Sequence, residues 1–266
     1  MKAHGMIAMI AYALHVNRDL ASPTGRDYGA SAAFWEHYLL DHFEAKWRDR
    51  DGVDDGFPVL RHAESHVYMT WLRYHYYMGR LTGDSSYRDE AERMADNIWL
   101  ENRVVSTPGG EAYVWSRGVI SDGGLNAYLQ PTTYARYMFG DMVDLHLEGF
   151  HRWADPAEMA RFARTFTELL IDNADPVNGG FAADIGGGRA RAGLPADDGW
   201  PRMNADRFRI SSIANIAPWD ATGEITEITV DIERKLRSRG TVLLNAALFV
   251  DATLRGDATA ASATSR

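Results

Sequence analysis

The segment Arg61-His62-Ala63-Glu64-Ser65-His66 places two histidines and a glutamate close together, directly after an arginine. On a helix, residues four apart project from the same face, so His62 and His66 would face one way. A zincin motif needs glutamate immediately after the first histidine, but Ala63 holds that position, which disfavours metal binding by this pair. Two interpretations stay open: a polar first turn of a helix that hydrates free N–H groups, or acid–base groups at a substrate pocket.

Acidic side chains offer a second kind of chemistry, hydrolysis by two carboxylates. The candidates are Asp54, Asp55, Glu64, Asp184, Asp197 and Asp198. The acidic stretch 49–56 also resembles a calcium loop, but glycine stands at its fourth place rather than its sixth, so the EF-hand pattern fails. We interpret that stretch as a solvated turn, and the sequence predicts no metal site and no cofactor.

Composition narrows the range of partners. With 28 Lys+Arg against 37 Asp+Glu, the net charge of −9 disfavours nucleic acid and anionic membranes as partners. Without cysteine, the chain has no disulfides and no thiolate metal sites. The 8 tryptophans and 12 tyrosines suit stacking on sugar rings as well as core packing. The sequence does not indicate an oligomeric state.

Hydrophobic periodicity predicts an all-α protein. Apolar and aromatic residues recur every three to four positions in seven segments, at 5–16, 28–47, 62–81, 85–101, 132–150, 155–174 and 241–254. Strand patterns are few: 110–120 fits a strand or hairpin arm, and 223–236 alternates like a strand before turning helical. The long segment 176–222 is irregular and rich in Gly, Pro, Asp and Arg, which indicates a functional or disordered region.

Two segments, 68–99 and 136–170, share one plan: an aromatic-rich helix, a short turn and a more amphipathic helix. This repeat predicts αα-hairpins that stack into an (α/α) toroid or partial toroid, with the aromatic helices inside. We expect a single domain over 1–256 and a frayed tail over 257–266. Seven helices would form roughly half a toroid, and the chain begins without a helix cap, so we expect a partial chain or an open horseshoe.

The hairpin turn "GRLTGDSSYRDEAERMADNIW" and the loop "NADPVNGGFAADIGG" resemble those of (α/α)-toroid carbohydrate-active enzymes. Within that group the chain looks most like uronate polysaccharide lyases of the alginate or glucuronan type, polysaccharide lyase family 38. The resemblance implies an anionic polysaccharide or oligosaccharide substrate. It also implies a secreted or periplasmic location, although the apolar N-terminal run contains His4 and His15 and lacks a clean cleavage site.

In a toroid, one end of the inner helices opens on the substrate funnel, and the site residues are expected there. The expected catalytic residues are Tyr134, His66, His62, Arg136, Arg117 and Asn126. The expected substrate-binding residues are Arg61, Tyr68, Trp115, Tyr128 and Gln130. Arginine, asparagine or protonated histidine neutralises a uronate carboxylate, and tyrosine or histidine transfers the proton during β-elimination.

Tyr134 is the expected proton-transferring group, since the macrodipole at a helix start favours a phenolate. His66 is its expected partner, and Arg136 or Arg117 is expected to pair with the carboxylate. Two alternatives remain at this point: a glycoside hydrolase that uses paired carboxylates, and a non-catalytic helical-repeat scaffold.

Overall fold

Most of the described chain is helical, which confirms the all-α prediction. The computed structural model describes residues 2–47, 64–118, 128–171, 181–182, 184–187 and 215–236. These residues form seven α-helices and one two-stranded antiparallel sheet. Across these same ranges, none of the helices has the length and apolar character needed to span a membrane. The toroid and the single domain over 1–256 stay predictions.

The elements follow the predicted order closely. The helices are α1 Lys2–Val16, α2 Tyr28–Tyr38, α3 Ser65–Thr82, α4 Ser85–Glu101, α5 Thr132–Leu147, α6 Pro156–Arg164 and α7 Glu224–Leu236. The strands are β1 Arg103–Thr107 and β2 Gly110–Val114. Two π-helical segments, Leu39–Glu44 and Thr165–Leu170, prolong α2 and α6, and 3-10 turns lie at His151–Trp153 and Ala217–Trp219. The predicted helix at 241–254 and the predicted frayed tail lie outside the described residues.

The chain divides into two compact units. The first comprises Met1–Leu100 and Gly118–Gly123, and the second comprises Glu101–Arg117 and Gly124–Arg266. In the first unit, α1 packs against both α2 and α3. Its core is aromatic: the ring centroid of Phe43 lies 5.3 Å from that of Trp71 and 5.2 Å from that of Tyr74. Such edge and stacked contacts add to the apolar area that the rings bury.

Helices α3 and α4 form the first predicted αα-hairpin. The Tyr68 hydroxyl near the start of α3 accepts a hydrogen bond from Asn97 near the end of α4, at 2.8 Å. At the other end, a Cβ on Gly79 would lie 3.2 Å from the backbone nitrogen of Arg88. The start of α3 therefore contacts the end of α4, and the end of α3 contacts the start of α4, as an antiparallel pair requires. Gly83 ends α3 with a left-handed φ of 75°, a conformation in which glycine carries no Cβ penalty.

Glu44 and His75 are buried polar side chains within the aromatic core of the first unit. The Glu44 carboxylate is fully buried and accepts hydrogen bonds from the Tyr74 and Tyr87 hydroxyls, at 2.8 and 2.6 Å. The His75 ring is 2% exposed and stacks on the Trp71 ring. Burial, and then the charge of Arg93, lowers the pKa of His75 from 6.5 to about 3. The imidazole is therefore neutral in the folded protein at neutral pH.

This histidine predicts an acid-sensitive fold. Between pH 6.5 and about 3 the unfolded chain protonates His75 and the folded chain does not, so stability falls as pH falls through that window. His75→Phe keeps a stacking ring and removes the proton site. We expect urea unfolding of the variant to lose up to about 1.4 kcal/mol per pH unit of the wild-type slope between pH 6 and 4. Equal slopes for the two proteins would contradict this origin.

In the second unit, the β1–β2 hairpin lies against α6. The Thr165 hydroxyl accepts a hydrogen bond from the Tyr113 backbone nitrogen, at 3.1 Å, and donates to the Tyr113 carbonyl oxygen, at 2.6 Å. Beyond β2, the Trp115 ring contacts Phe139 of α5 and Phe162 of α6, at centroid distances of 5.9 and 5.8 Å. These contacts hold the segment that follows β2 in place between α5 and α6.

Several element boundaries differ from the sequence predictions. The stretch 223–236 is helical from Glu224 and has no strand; Ile225, Ile228 and Thr229 are buried at helical spacing, and the Asp220 carboxylate accepts from the Ile225 nitrogen at 2.8 Å. The helix predicted over 155–174 ends at Leu170, because the next residue is extended and pairs with Phe181. The helix predicted over 132–150 ends at Leu147, just before Gly149 at φ 73°.

Candidate functional site

Three separate segments of the second unit pair beside the start of α5. Ser116 forms an antiparallel bridge with Leu129, flanked by a hydrogen bond from the Arg117 nitrogen to the Tyr128 oxygen at 3.0 Å. On its other side, the Gln130 nitrogen donates to the Trp115 oxygen at 3.1 Å. We call these paired residues, with the segment at 184–185 described below, the ladder. The first segment of the ladder follows β2 directly in the chain, but it pairs with the segment around Leu129 instead of β1.

The register brings four predicted site residues to one side of the ladder. Trp115 lies opposite Gln130, and Arg117 lies opposite Tyr128. Because side chains alternate between the two faces of a strand, these four residues project from the same face, away from that of Ser116 and Leu129. We call this group of Trp115, Arg117, Tyr128 and Gln130 the ladder face. A cation, an aromatic ring, an amide and an indole N–H therefore lie together.

A third segment adds Asp184, but on the opposite face. Pro131 pairs with Asp184, and the Ile185 nitrogen donates to the Gln130 oxygen at 3.1 Å. By the same alternation, Asp184 lies on the side of Ser116 and Leu129. Its carboxylate is buried and accepts a hydrogen bond from the Gly186 nitrogen at 2.8 Å. This carboxylate stabilises a turn and does not join the ladder face.

Exposure rises along the ladder face from one pair to the next. Trp115 and Gln130 are 1% and 0% exposed, whereas Arg117 is half-buried and Tyr128 is 46% exposed. A ligand from solvent would meet the tyrosine and the arginine first. The deeper pair would be reached only by a group that displaces or inserts past that rim.

The deep pair carries polar atoms that have no hydrogen-bond partner in the described part of the chain. In the ranges that the structure describes, the Gln130 amide oxygen and nitrogen and the Trp115 indole nitrogen are buried and make no hydrogen bond. A buried donor or acceptor without a partner costs about 1–3 kcal/mol of stability, and such atoms are rare in folded proteins. Their occurrence as cross-strand neighbours indicates a place for a polar ligand group or an ordered water.

Helix α5 begins immediately after the ladder and carries Tyr134 and Arg136. Pro131 caps the helix without a side-chain hydrogen bond, and the Tyr134 nitrogen donates to the Pro131 oxygen at 2.9 Å. Tyr134 is half-buried in the first turn. Arg136 is 8% exposed, and its guanidinium donates to the Tyr137 hydroxyl at 2.7 Å. Of the two predicted arginines, Arg117 projects from the ladder face itself, whereas Arg136 contacts Tyr137 on α5.

Of the predicted site residues that the structure describes, His66 and Tyr68 belong to the first unit. His66 is 8% exposed at the start of α3, and its Nδ1 lies 3.4 Å from the Glu64 carboxylate. The Tyr68 ring is 2% exposed and its hydroxyl accepts from Asn97. Burial raises the pKa of Tyr68 and is its largest influence. Tyr68 thus packs in the α3–α4 hairpin, and the roles of both residues toward a substrate stay predictions.

The remaining predicted residues lie outside the described part of the chain. These are Arg61, His62 and Asn126, together with the candidate carboxylates Asp54, Asp55, Asp197 and Asp198. Among the residues that are described, no group of three or more His, Asp or Glu side chains is arranged to hold a metal ion.

The pairing itself is what sequence reasoning missed. Trp115-Ser116-Arg117 and Tyr128-Leu129-Gln130 lie on either side of a glycine-containing stretch, which is only a weak hairpin signal. The buried Glu44 with its two tyrosine donors also carried no sequence signal, because a glutamate in a helix is ordinarily exposed.

Comparisons with known proteins give no indication of function, so the proposal below is based on the geometry of the site. No family model, no curated protein and no solved structure matches this chain.

Proposed function

We propose that this chain is a polysaccharide lyase that cleaves a uronate-containing glycan, of the alginate or glucuronan type, by β-elimination. The observation that supports it is the ladder face, where Arg117, Tyr128 and Gln130 come together beside the first turn of α5, which carries Tyr134. A half-buried arginine is suited to a carboxylate, because its planar guanidinium forms two parallel hydrogen bonds with it. The exposed Tyr128 ring is suited to stacking on a sugar ring.

The proposed reaction needs one proton to move and one bond to break. Arg117 pairs with the uronate carboxylate and stabilises the charge that develops there when the C5 proton leaves. Tyr134, as the phenolate, takes that proton, and the C5–H electron pair becomes the C4=C5 double bond. The C4–O4 bond breaks, and O4 receives the proton back from the Tyr134 hydroxyl. The products are an unsaturated uronate and a free hydroxyl end, with no oxidant, reductant or cofactor consumed.

Elimination fits the described residues better than hydrolysis. A glycoside hydrolase needs two carboxyl groups that flank one bond, roughly 5–10 Å apart. On the ladder, the described carboxylate is Asp184, which lies on the face opposite Arg117 and accepts from the Gly186 nitrogen. The ladder face instead carries one cation and neutral hydrogen-bonding groups, which suit an anionic substrate.

A direct assay separates a lyase from a hydrolase and from a binding scaffold. The purified chain is incubated with alginate and with glucuronan, and ultraviolet absorbance and new reducing ends are followed together. We expect both to rise at the same rate, because elimination creates a conjugated double bond with each new end. New reducing ends without absorbance would indicate a hydrolase, and neither signal would favour a binding scaffold. We expect a chelator to leave the rate unchanged, since no step uses a metal ion.

A further inference from the structure

The deep end of the ladder face presents a specific set of hydrogen-bonding atoms. Gln130 offers one acceptor and two donors on its amide, and Trp115 offers one indole donor. In the described residues these atoms have no partner, and both side chains are at least 99% buried. The two residues face each other across the ladder, so their polar atoms serve one small volume.

The chemistry of these atoms selects a neutral group. A carboxylate accepts hydrogen bonds only, so it would leave the Gln130 amide oxygen without a donor. A hydroxyl group both donates and accepts. Two adjacent hydroxyls can therefore satisfy the amide oxygen and the amide nitrogen together, while the indole N–H donates to one of them.

We infer that Trp115 and Gln130 form a subsite for two adjacent hydroxyl groups of the sugar ring, which makes the protein selective for uronate units whose O2 and O3 are unsubstituted. The inference rests on the proposed function, since it takes the bound ring to be a uronate. Arg117 and Gln130 are diagonal neighbours across the ladder, and such residues lie roughly 7–8 Å apart, a distance that a pyranose ring with its substituents spans. A ring whose carboxylate meets Arg117 would thus bring its far hydroxyls to Gln130.

Substitution of the sugar hydroxyls should interfere directly with this subsite. An O-acetyl group removes the hydroxyl donor and adds bulk in a fully buried location. A site built to hydrogen-bond a hydroxyl rejects an analogue that lacks it strongly, because its own buried groups then stay unpaired. The expected substrate is therefore a deacetylated uronan.

The test compares Gln130→Leu with the wild-type protein and with Ser116→Ala. Leucine has a similar volume and no polar atoms, and Ser116 projects from the opposite face of the same ladder, which makes its variant the matched control. The probes are a deacetylated oligoglucuronan and the same oligomer after O-acetylation. Turnover gives KM, calorimetric titration gives Kd, and thermal unfolding gives Tm.

We expect Gln130→Leu to raise KM and Kd for the deacetylated oligomer at least tenfold and to remove the wild-type preference over the acetylated one. Its Tm should be equal to or above that of the wild type, because the amide makes no hydrogen bond within the described protein. Ser116→Ala should leave KM and Kd unchanged. If leucine prevents folding, Gln130→Met, which is unbranched like glutamine, serves the same comparison.

The outcomes separate this inference from the proposed function. If the wild type eliminates and Gln130→Leu has an unchanged KM, the subsite is overturned and the proposed lyase activity is supported. Gln130-dependent binding without any elimination supports the subsite and overturns the lyase. A lowered Tm with unchanged Kd makes Gln130 structural and overturns the subsite. A wild type that neither binds nor cleaves either oligomer overturns both.

Discussion

Tyr134→Phe is expected to lower kcat on a uronan at least about a hundredfold, with KM nearly unchanged. Phenylalanine keeps the ring that is half-buried in the first turn of α5 and removes only the oxygen that carries the proton. General acid–base catalysis contributes about 10²–10⁴-fold, and a group that acts only in the transition state affects kcat rather than binding. Initial rates of absorbance increase, measured over a range of oligouronate concentrations, give both constants.

A neighbouring tyrosine provides the matched control for this variant. Tyr137 lies three residues further along the same helix, and its hydroxyl accepts from Arg136 rather than standing in the first turn. Tyr137→Phe should change kcat by less than about threefold, the range of an indirect effect, because it takes no proton in the mechanism. Full activity of Tyr134→Phe, combined with loss in His66→Ala, would assign the base to histidine. Activity in both variants would move the site to the acidic stretch around Asp54 and Asp55.

The helical part of the fold was predictable because its signals are local. Asp155 caps α6 by accepting from the Ala157 nitrogen at 2.8 Å, and Asp84 accepts from the Ser86 nitrogen at 2.9 Å before α4. Both positions are recognisable from residue type alone, since short polar side chains satisfy the free N–H groups of a first turn. The aromatic spacing of α3 likewise indicates a buried helix.

The secondary-structure predictions were wrong where one sequence pattern fits both a helix and a strand. The run Glu-Ile-Thr-Glu-Ile-Thr at 224–229 has apolar residues every three positions, and together with β-branched side chains this imitates strand alternation. A helix results because the Asp220 carboxylate caps it and because Ile225 and Ile228 both become buried. The end of the π-helical segment that prolongs α6 could not be predicted locally either, since it depends on the pairing of Ile171 with Phe181, ten residues later.

The candidate site was predictable in composition and not in arrangement. The chemistry of their side chains predicts Trp115, Arg117, Tyr128 and Gln130 as site residues. Their common face follows from a register between residues more than ten positions apart, and single residues do not encode such a register. The same register places Arg117 on the ladder face. Arg136 lies on α5 instead, and its guanidinium carbon is 4.5 Å from the centre of the Tyr137 ring.

The charge on Arg117 is expected to contribute most of the preference for an acidic substrate. Arg117→Met keeps a long apolar stem and removes the cation, so packing along the stem is largely retained. Loss of one preorganised group that stabilises developing charge lowers the rate about 10²–10³-fold. We expect kcat/KM on the free-acid uronan to fall by that amount, since the carboxylate must be neutralised before the C5 proton can leave.

A neutral substrate makes the test specific to charge. In a methyl-esterified uronan the carboxyl group is uncharged and needs no cation. Arg117→Met should therefore lose no more than about tenfold in kcat/KM on the ester. The wild-type preference for the free acid over the ester should be lost in this variant. Arg103→Met, which removes the same charge from β1 of the same unit, controls for the change in net charge and should retain the preference. A collapse in Arg136→Met with the preference intact in Arg117→Met would transfer the carboxylate contact to Arg136. Equal losses on acid and ester would mean that Arg117 supports the ladder rather than the substrate charge.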